Sequence, residues 1–510
     1  MTRQYISDII TQEQIEKWKL KDRILIDAQT GFGKSQFVKN ELYNYCKKYN
    51  KKILLLSNRN ALKNQNNEEL KENKLDVITL KNYQTVEAMV LSGSEIVALF
   101  EPYDFIIFDE CHYLTSDSNF SNTTDILLSQ LKNPLPDKIY IFLSATTDAI
   151  LTYENTFDFK YIIPKDYSYI ENLYFYSKAE TLNNILEKIP YDEKVIYFGT
   201  ALESLELSLS FSDSAFMCSE NNREFYRKSS KTVSQDIGEN SYFKPRMLFT
   251  TKVIDNGVNI IDTQLKHVVI DLFDPIDVIQ CLGRKRVVSP DDKINLYIKN
   301  YHGGEIYPRI QRIDDKLKQV DELESLGKEE FQKKYARSAF DSVIRNNFEI
   351  NEAKMIYYKY VKSIALKMIS NKDQDGYKRF IAKKLGIDFD DIKIAEKYYE
   401  KECLSNILEQ YMEKRIYRGE ILETFKDKFF NKLFDPKRKL DYRSRGYNTI
   451  NDILQDDNLP YYITTDLDRS VNSQYKNKRY WIVNKSILPT EIMEEQLLVE
   501  RNTYLKVCHD

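Results

Sequence analysis

The sequence predicts an α/β fold: two successive parallel sheets with flanking helices, then a mainly helical C-terminal region. Three observations carry that expectation. Short apolar runs such as Ile24-Leu25-Ile26, Ile53–Leu56 and Phe105–Phe108 contain no polar residue, as expected of strands covered on both faces. Helix-forming segments separate these runs, the rhythm of βαβ units. The alternation resumes near residue 195, and from Ile306 apolar residues instead recur at steps of three and four.

The run Ile24–Ile26 leads into Asp27-Ala28-Gln29-Thr30-Gly31-Phe32-Gly33-Lys34-Ser35, and a helix-like segment extends from Ser35 to about Tyr49. A strand, a Gly-interrupted turn and a helix form the setting in which backbone N–H groups and the helix dipole hold a phosphate. Lys34 is placed to reach β- and γ-phosphates and Ser35 to hold Mg²⁺, with Ala28, Thr30, Gly31 and Gly33 shaping the loop. Ala28 stands where the pattern G-x-x-x-x-G-K-[ST] has its first glycine, a small residue in a place that needs one. A Gly/Lys turn without a ligand is the competing account, which the later motifs weigh against.

Ile53–Leu56 ends in Ser57-Asn58-Arg59, a helix is expected over Ala61–Asn73, and Val77–Leu80 is a strand leading to Tyr83-Gln84. Phe105–Phe108 then delivers Asp109-Glu110-Cys111-His112 at a strand C-terminus, the end at which open α/β sheets bind ligands. Asp109 suits the Mg²⁺ shell, and Glu110 suits orienting and deprotonating a water. An acidic strand cap is the bland alternative, and it weakens when a phosphate loop precedes it in the same sheet pattern. Ile139–Leu143 ends in Ser144-Ala145-Thr146, hydroxyl residues suited to hydrogen bonding near phosphates or to capping the next helix.

Residues 151 to about 190 read as a transition. The second series has strands at Val195–Phe198, Ala215–Cys218, Met247–Thr251, His267–Asp271 and Ile294–Ile298, and a helix over Leu202–Leu209. A helix from Pro275 is expected to carry Gln280-Cys281-Leu282-Gly283-Arg284-Lys285-Arg286. A second sheet needs no phosphate loop if it clamps the first sheet's nucleotide, and Arg284 and Arg286 suit charge developing on a γ-phosphate. A solvated basic turn is the default for Arg-Lys-Arg in isolation.

In this order, Ala28–Ser35, Asp109–His112 and Ser144–Thr146 resemble the first motor domain of superfamily 2 helicases of the DExH type, DEAD/DEAH-box-like ATP-dependent enzymes. The resemblance implies two RecA-like P-loop NTPase domains in tandem. It implies that Lys34 and Ser35 bind ATP·Mg²⁺, that Asp109 holds the metal, and that Glu110 is the base. It also implies that His112, Ser144 and Thr146 couple hydrolysis to strand movement. Ser57-Asn58-Arg59-Asn60-Ala61-Leu62 is similar to the family's strand-contacting segment, usually Pro-Thr-Arg-x-Leu, which makes Arg59 a nucleic-acid contact. Thr251, Gly257 and Asn259 match the fifth motif, with Asn259 replacing a common Asp; Gly257 and Asn259 fall on the nucleotide side and Thr251 on the strand side. Gln280-x-x-Gly283-Arg284 matches the sixth, in which Gln280 and Arg284 sense the γ-phosphate. Arg286 stands one residue earlier than usual, a Gly-Arg-x-Arg variant that resembles origin-binding-type helicases.

Composition sets limits on partners. A net charge of −3 excludes a surface that is basic all over, so a nucleic-acid site must be local. Six cysteines form no C-x-x-C pair and four histidines give no zinc spacing, which points to reduced thiols in a cytoplasmic protein without zinc. No apolar run approaches the roughly 18 residues that a membrane span requires. Met1–Tyr5 lacks a signal core.

Four domains are expected: 1–165 and 166–303 as the two sheet domains, 304–434 as a helical accessory domain, and 435–510 as a basic segment with a small mixed α/β module. Ile310, Ile313, Leu317, Val320 and Leu323 keep helical spacing. The pairs Tyr357-Tyr358, Tyr398-Tyr399 and Phe429-Phe430 read as core in preference to base-stacking platforms. Asp435–Gly446 is the densest basic stretch, and Lys437, Arg438 and Arg443 are candidates for phosphate contact, a solvent-exposed linker being the alternative. Asn448–Leu454, Tyr461–Ile463 and Arg479–Val483 suggest the small module, for which a winged helix is one arrangement. The function expected is that of an ATP- and Mg²⁺-dependent helicase or translocase on nucleic acid, DNA in preference to RNA, with protein partners engaged through 304–510. The alternatives are an ATP-gated scaffold in a replication or phage-defence complex and an origin-binding replication helicase of a mobile element.

Overall fold

The structure, a computed structural model, describes residues 4–58, 75–119, 121–220, 222–252, 259–335, 340–369, 375–439 and 445–485. The helix expected over Ala61–Asn73 and the candidate residues Arg59, Gly257 and Arg443 lie outside these, as does the side chain of Lys437.

The first sheet contains β1 (Arg23–Asp27), β2 (Ile53–Ser57), β3 (Ile78–Asn82), β4 (Phe105–Asp109), β5 (Ile139–Ser144) and β6 (Phe159–Ile162), in the order β3-β2-β4-β5-β1-β6. Every pairing is parallel. The continuous apolar runs are explained by two cores, one on each face of the sheet. Ile24, Ile26, Ile107 and Ile141 pack with Phe37 and Leu42 of the helix after the phosphate loop. Leu25, Ile106, Phe108, Tyr140 and Phe142 pack on the other side with Tyr83 and Leu127. Register sets Asp27 level with Ser144, and Asp109 level with Leu143. The three motif loops therefore leave the sheet along one edge.

Six of the seven strands of the second sheet are β7 (Ile170–Tyr176), β8 (Lys194–Phe198), β9 (Ser214–Met217), β10 (Met247–Thr250), β11 (Leu265–Ile270) and β12 (Ile294–Lys299), ordered β7-β12-β11-β8-β10-β9. Two parallel sheets with their helices are the tandem RecA-like arrangement. The stretch 151–190, expected as a transition, holds β6 and β7. Phe159-Lys160-Tyr161-Ile162 alternates half-buried with exposed positions at a sheet edge, so it has no continuous apolar run to signal it.

The chain forms two compact units, residues 1–175 with 188–393 and residues 176–187 with 394–510. The helices Gly303–Lys334, Glu352–Ile369 and Gly376–Leu385 thus belong to the first unit, with the two sheets. Ala353 and Ile356 lie inside the first sheet's own core, and Tyr357 donates a hydrogen bond to Asp274 in the second lobe. A two-residue strand β13 (Lys393–Ile394) precedes the second unit. That unit has helices Ala395–Tyr411, Glu420–Asn431 and Tyr447–Asp456, and an antiparallel sheet of β14 (Ile416–Tyr417), β15 (Tyr461–Leu467) and β16 (Arg479–Lys485). Phe425, Phe429, Ile450, Leu454 and Trp481 form its separate core. Tyr357, Tyr358, Phe429 and Phe430 are buried as core, whereas Tyr398 is exposed. Among the described residues no helix is long and apolar enough to cross a membrane, and no cluster of three His, Cys, Asp or Glu side chains is fit to hold a metal.

Candidate active site

The phosphate loop is built by β1 and its neighbour β5. Ala28 N donates to Ser144 O at 2.9 Å, continuing the ladder past the strand end, and Ala28 is fully buried, which is why a small residue serves there. Gly31 and Gly33 take φ of 86° and 85°, left-handed backbone that costs glycine little. Gly33 stands before the helix Lys34–Phe37, so N–H groups and the positive end of the dipole face the loop. Lys34 Nζ lies 3.0 Å from Glu110 Oε1, with both side chains nearly buried. Glu110 has φ 53°, a strained conformation for a residue with a side chain, of order 1–3 kcal/mol, and such strain collects at functional sites. Tyr83 OH donates to Asp109 O at 2.8 Å and stacks on Tyr113 with ring centroids 4.5 Å apart, bracing the acidic turn. Full burial pushes the Tyr83 hydroxyl far above its ordinary pKa, which keeps it a donor.

A chain of polar contacts crosses from this turn to the second lobe. His112 Nδ1 is 3.4 Å from Glu110 Oε2 and 3.0 Å from Ser144 Oγ. Thr146 N donates to Ser144 Oγ at 3.0 Å, and Gln280 Nε2 donates to Thr146 Oγ1 at 3.0 Å. Arg284 Nη2 donates to Gln280 Oε1 at 3.2 Å, and Arg284 is only 3% exposed. The residues read as base, coupling group and γ-phosphate sensors are thereby brought together.

The helix from Pro275 ends at Leu282, so it does not carry Arg284–Arg286 as the sequence suggested. Ile260 N donates to Arg284 O at 2.8 Å and Arg286 N to Ile260 O at 2.9 Å, so this segment runs extended beside Ile260. Residues two apart on extended backbone share a face, as residues three apart do on a helix. Arg286 Nε donates to Asn259 Oδ1 at 2.8 Å, while Lys285 turns the other way, to Asp292 Oδ2 and Asp262 O, each at 2.7 Å.

Between the lobes lies a cleft of about 550 Å³, lined by Gln29, Thr30 and Gly31 on one side and by Gly283, Arg286 and Val287 on the other. A Cβ on Gly283 would stand 2.9 Å from Thr30 Oγ1, so only glycine lets the second lobe approach the loop this closely. The donor chemistry fits a triphosphate with a hard divalent cation. Lys34 and the arginines supply positive charge, the Ser35 hydroxyl and the Asp109 carboxylate are oxygen ligands of the kind Mg²⁺ takes, and Glu110 is placed to accept a proton.

Residues 9–152 match the family model described as DEAD/DEAH box helicase. The chain carries a DEAD/DEAH box helicase domain. The chain is similar to a solved structure of the DEAD-box helicase Mss116 bound to ssRNA and UDP-BeF, at 14% identity and a TM-score of 0.41, covering 74% of this chain and 82% of that one. It is also similar to a fragment of a putative HsdR subunit of a type I restriction enzyme from Vibrio vulnificus YJ016, at 15% identity and a TM-score of 0.36, covering 56% of this chain and 61% of that one. Among curated proteins none matches the sequence.

Other residues around the site carried little or no signal in the sequence. Gln29 Nε2 donates to Asp166 O at 2.9 Å and its Oε1 accepts from Asp166 N at 2.7 Å, tying the phosphate loop to the start of the second lobe. Asp27 accepts from Thr147 Oγ1 at 3.0 Å and pairs with Lys165 at 3.1 Å. Only adjacency to the loop motif flags Asp27 and Gln29. Of the candidate strand contacts, Thr251 is half-buried just after β10. Arg438 Nη1 pairs with Glu400 at 2.7 Å and Nη2 with Asp457 at 2.9 Å, joining two helices of the second unit.

Asp274 caps the helix of Gln280, accepting from Ile276 N at 2.9 Å. Burial, reinforced by nearby Asp277, pushes its carboxyl from 3.8 up to about 6. A carboxyl whose folded pKa is raised stabilises the fold while protonated, so this contribution is present below about pH 4 and is lost as pH rises through 6. Asp274→Asn keeps a capping side chain and removes the charge. Thermal melts should therefore show a Tm a few degrees higher than wild type at pH 8 and little difference at pH 4. An equal or lower Tm at pH 8 would refute the assignment.

Proposed function

We propose that this helicase uses ATP hydrolysis to move along one strand of nucleic acid, DNA in preference to RNA. The continuous polar chain from Glu110 through His112, Ser144, Thr146 and Gln280 to Arg284 supports this reading. It gives the state of the nucleotide cleft a direct route to the relation between the lobes. In this mechanism Lys34 and the loop N–H groups hold phosphates, while Ser35 and Asp109 hold Mg²⁺, which supplies charge neutralisation when bound. Glu110 takes the proton of the attacking water, with Lys34 drawn from it to phosphate as the site fills. Gln280 and Arg284 meet the charge that develops on the γ-phosphate, and the contact of Gln280 to Thr146 pulls the lobes together.

The test is ATPase activity with single-stranded DNA, duplex DNA and single-stranded RNA at fixed salt. Stimulation of at least about tenfold, largest with single-stranded DNA, is expected. ATP binding without turnover on any of the three would replace the motor with an ATP-gated scaffold.

A further inference from the structure

The second unit contains a feature that the ATP site does not use. From residue 395 its order is helix, short strand β14, helix, helix Tyr447–Asp456, then the hairpin β15–β16, with a single turn at Pro436–Lys439 between the last two helices. The sheet order is β14-β16-β15, all antiparallel. A helix–strand–helix–helix–hairpin chain whose first strand pairs with the hairpin's second strand has winged-helix topology, and the hairpin loop is the wing. In this topology the last helix before the hairpin would ordinarily enter a groove. Here Tyr447–Asp456 contains no lysine or arginine and exposes Asp452 and Asp456, which phosphates would repel.

The wing has the opposite character. Residues 469–479 contain Arg469, Lys476, Lys478 and Arg479, all exposed, and no acidic residue, on a chain whose net charge is −3. The loop is not a slack linker. The buried Asp468 accepts from Tyr417 OH at 2.7 Å, Ser473 Oγ at 2.6 Å and Ser470 N at 2.9 Å. Tyr475 stacks on Tyr417 with centroids 4.0 Å apart. Tyr417 pairs with Tyr480 in the ladder, so the next register position sets exposed Arg418 beside Arg479. Like charges opposed across strands destabilise a sheet, and an anionic ligand spanning both removes that repulsion. A loop held in this way presents several exposed cations together, the charge that a phosphate backbone calls for.

We propose that the wing at residues 469–479, together with Arg418, is a duplex-backbone binding site, and that this module grips double-stranded nucleic acid through its wing instead of its last helix. The site stands independently of the motor reading.

The test uses the full chain without nucleotide, binding fluorescent DNA and RNA duplexes between 50 and 200 mM salt. The variant Arg469→Gln/Lys476→Gln/Lys478→Gln/Arg479→Gln should lower the slope of log affinity against log salt by about 3 to 4 and weaken duplex binding at 50 mM salt by about 100-fold, with basal ATPase unchanged. Whichever duplex loses more affinity identifies its chemistry as the preferred one. Asp452→Asn/Asp456→Asn should leave duplex affinity equal or higher. If the quadruple variant melts early, Lys476→Gln and Lys478→Gln singly should each lower the slope by about 0.9, and Lys476→Arg should restore it. Unchanged affinity and slope in folded variants would overturn the proposal. So would polyglutamate binding as tightly as duplex, which would reassign the wing to acidic protein partners. Loss of the ATPase response to single strands with intact duplex binding would count against the motor alone.

Discussion

Arg284→Ala is expected to slow ATP turnover by about 10³-fold or more, the lower end of what an arginine finger supplies. The side chain is nearly buried, and its Nη2 is oriented by Gln280, whose other end is fixed by Thr146. Such a group is aimed before reaction and stabilises charge with little reorganisation. Arg286 does not replace it, because its Nε is committed to Asn259 at 2.8 Å. Arg284→Lys should recover little, since an ammonium cannot reproduce the planar fork that meets both Gln280 and a phosphate. Single-turnover hydrolysis, with nucleotide affinity measured separately, is the assay. Turnover within tenfold of wild type would remove Arg284 from the mechanism.

Glu110→Gln is expected to reduce hydrolysis by about 10²-fold or more while ATP binding is kept, the scale of lost general-base help. The substitution conserves shape, so the strained turn and the Tyr83 brace on Asp109 should persist. It removes the carboxylate that faces Lys34 at 3.0 Å, leaving that ammonium without its charged partner and freer to meet phosphate. Nucleotide affinity should therefore hold or increase, which separates this variant from one that merely damages the loop. Hydrolysis at the wild-type rate would exclude Glu110 as the base.

Both lobes were legible in the sequence because parallel strands are covered on both faces and so leave unbroken apolar runs. That Lys34, Glu110 and Gln280 stand at strand and helix ends was legible too, because the runs that precede them mark those ends. Edge strands such as β6 were missed, since half-exposed alternation is not distinguishable from loop composition. The end of the helix at Leu282 was missed because nothing local forbids it from continuing; the tertiary pairing with Ile260 decides it. The partners of Arg438 were not legible because a cation's partner is a matter of folding, and Glu400 and Asp457 lie 38 and 19 residues away in the chain. The wing differs, since the carboxylate beside its cations, Asp468, is buried and taken up by the loop itself.

The helix Glu352–Ile369 has a bearing on how the chain is made. Ala353 and Ile356 complete a core whose other members lie between Leu25 and Ile150. On the ribosome the N-terminal lobe therefore emerges with one face unfinished, and that face stays open until some 200 further residues, including β7 to β12 of the second sheet, have been synthesised. The two lobes mature together, and the N-terminal one, although made first, is not finished first.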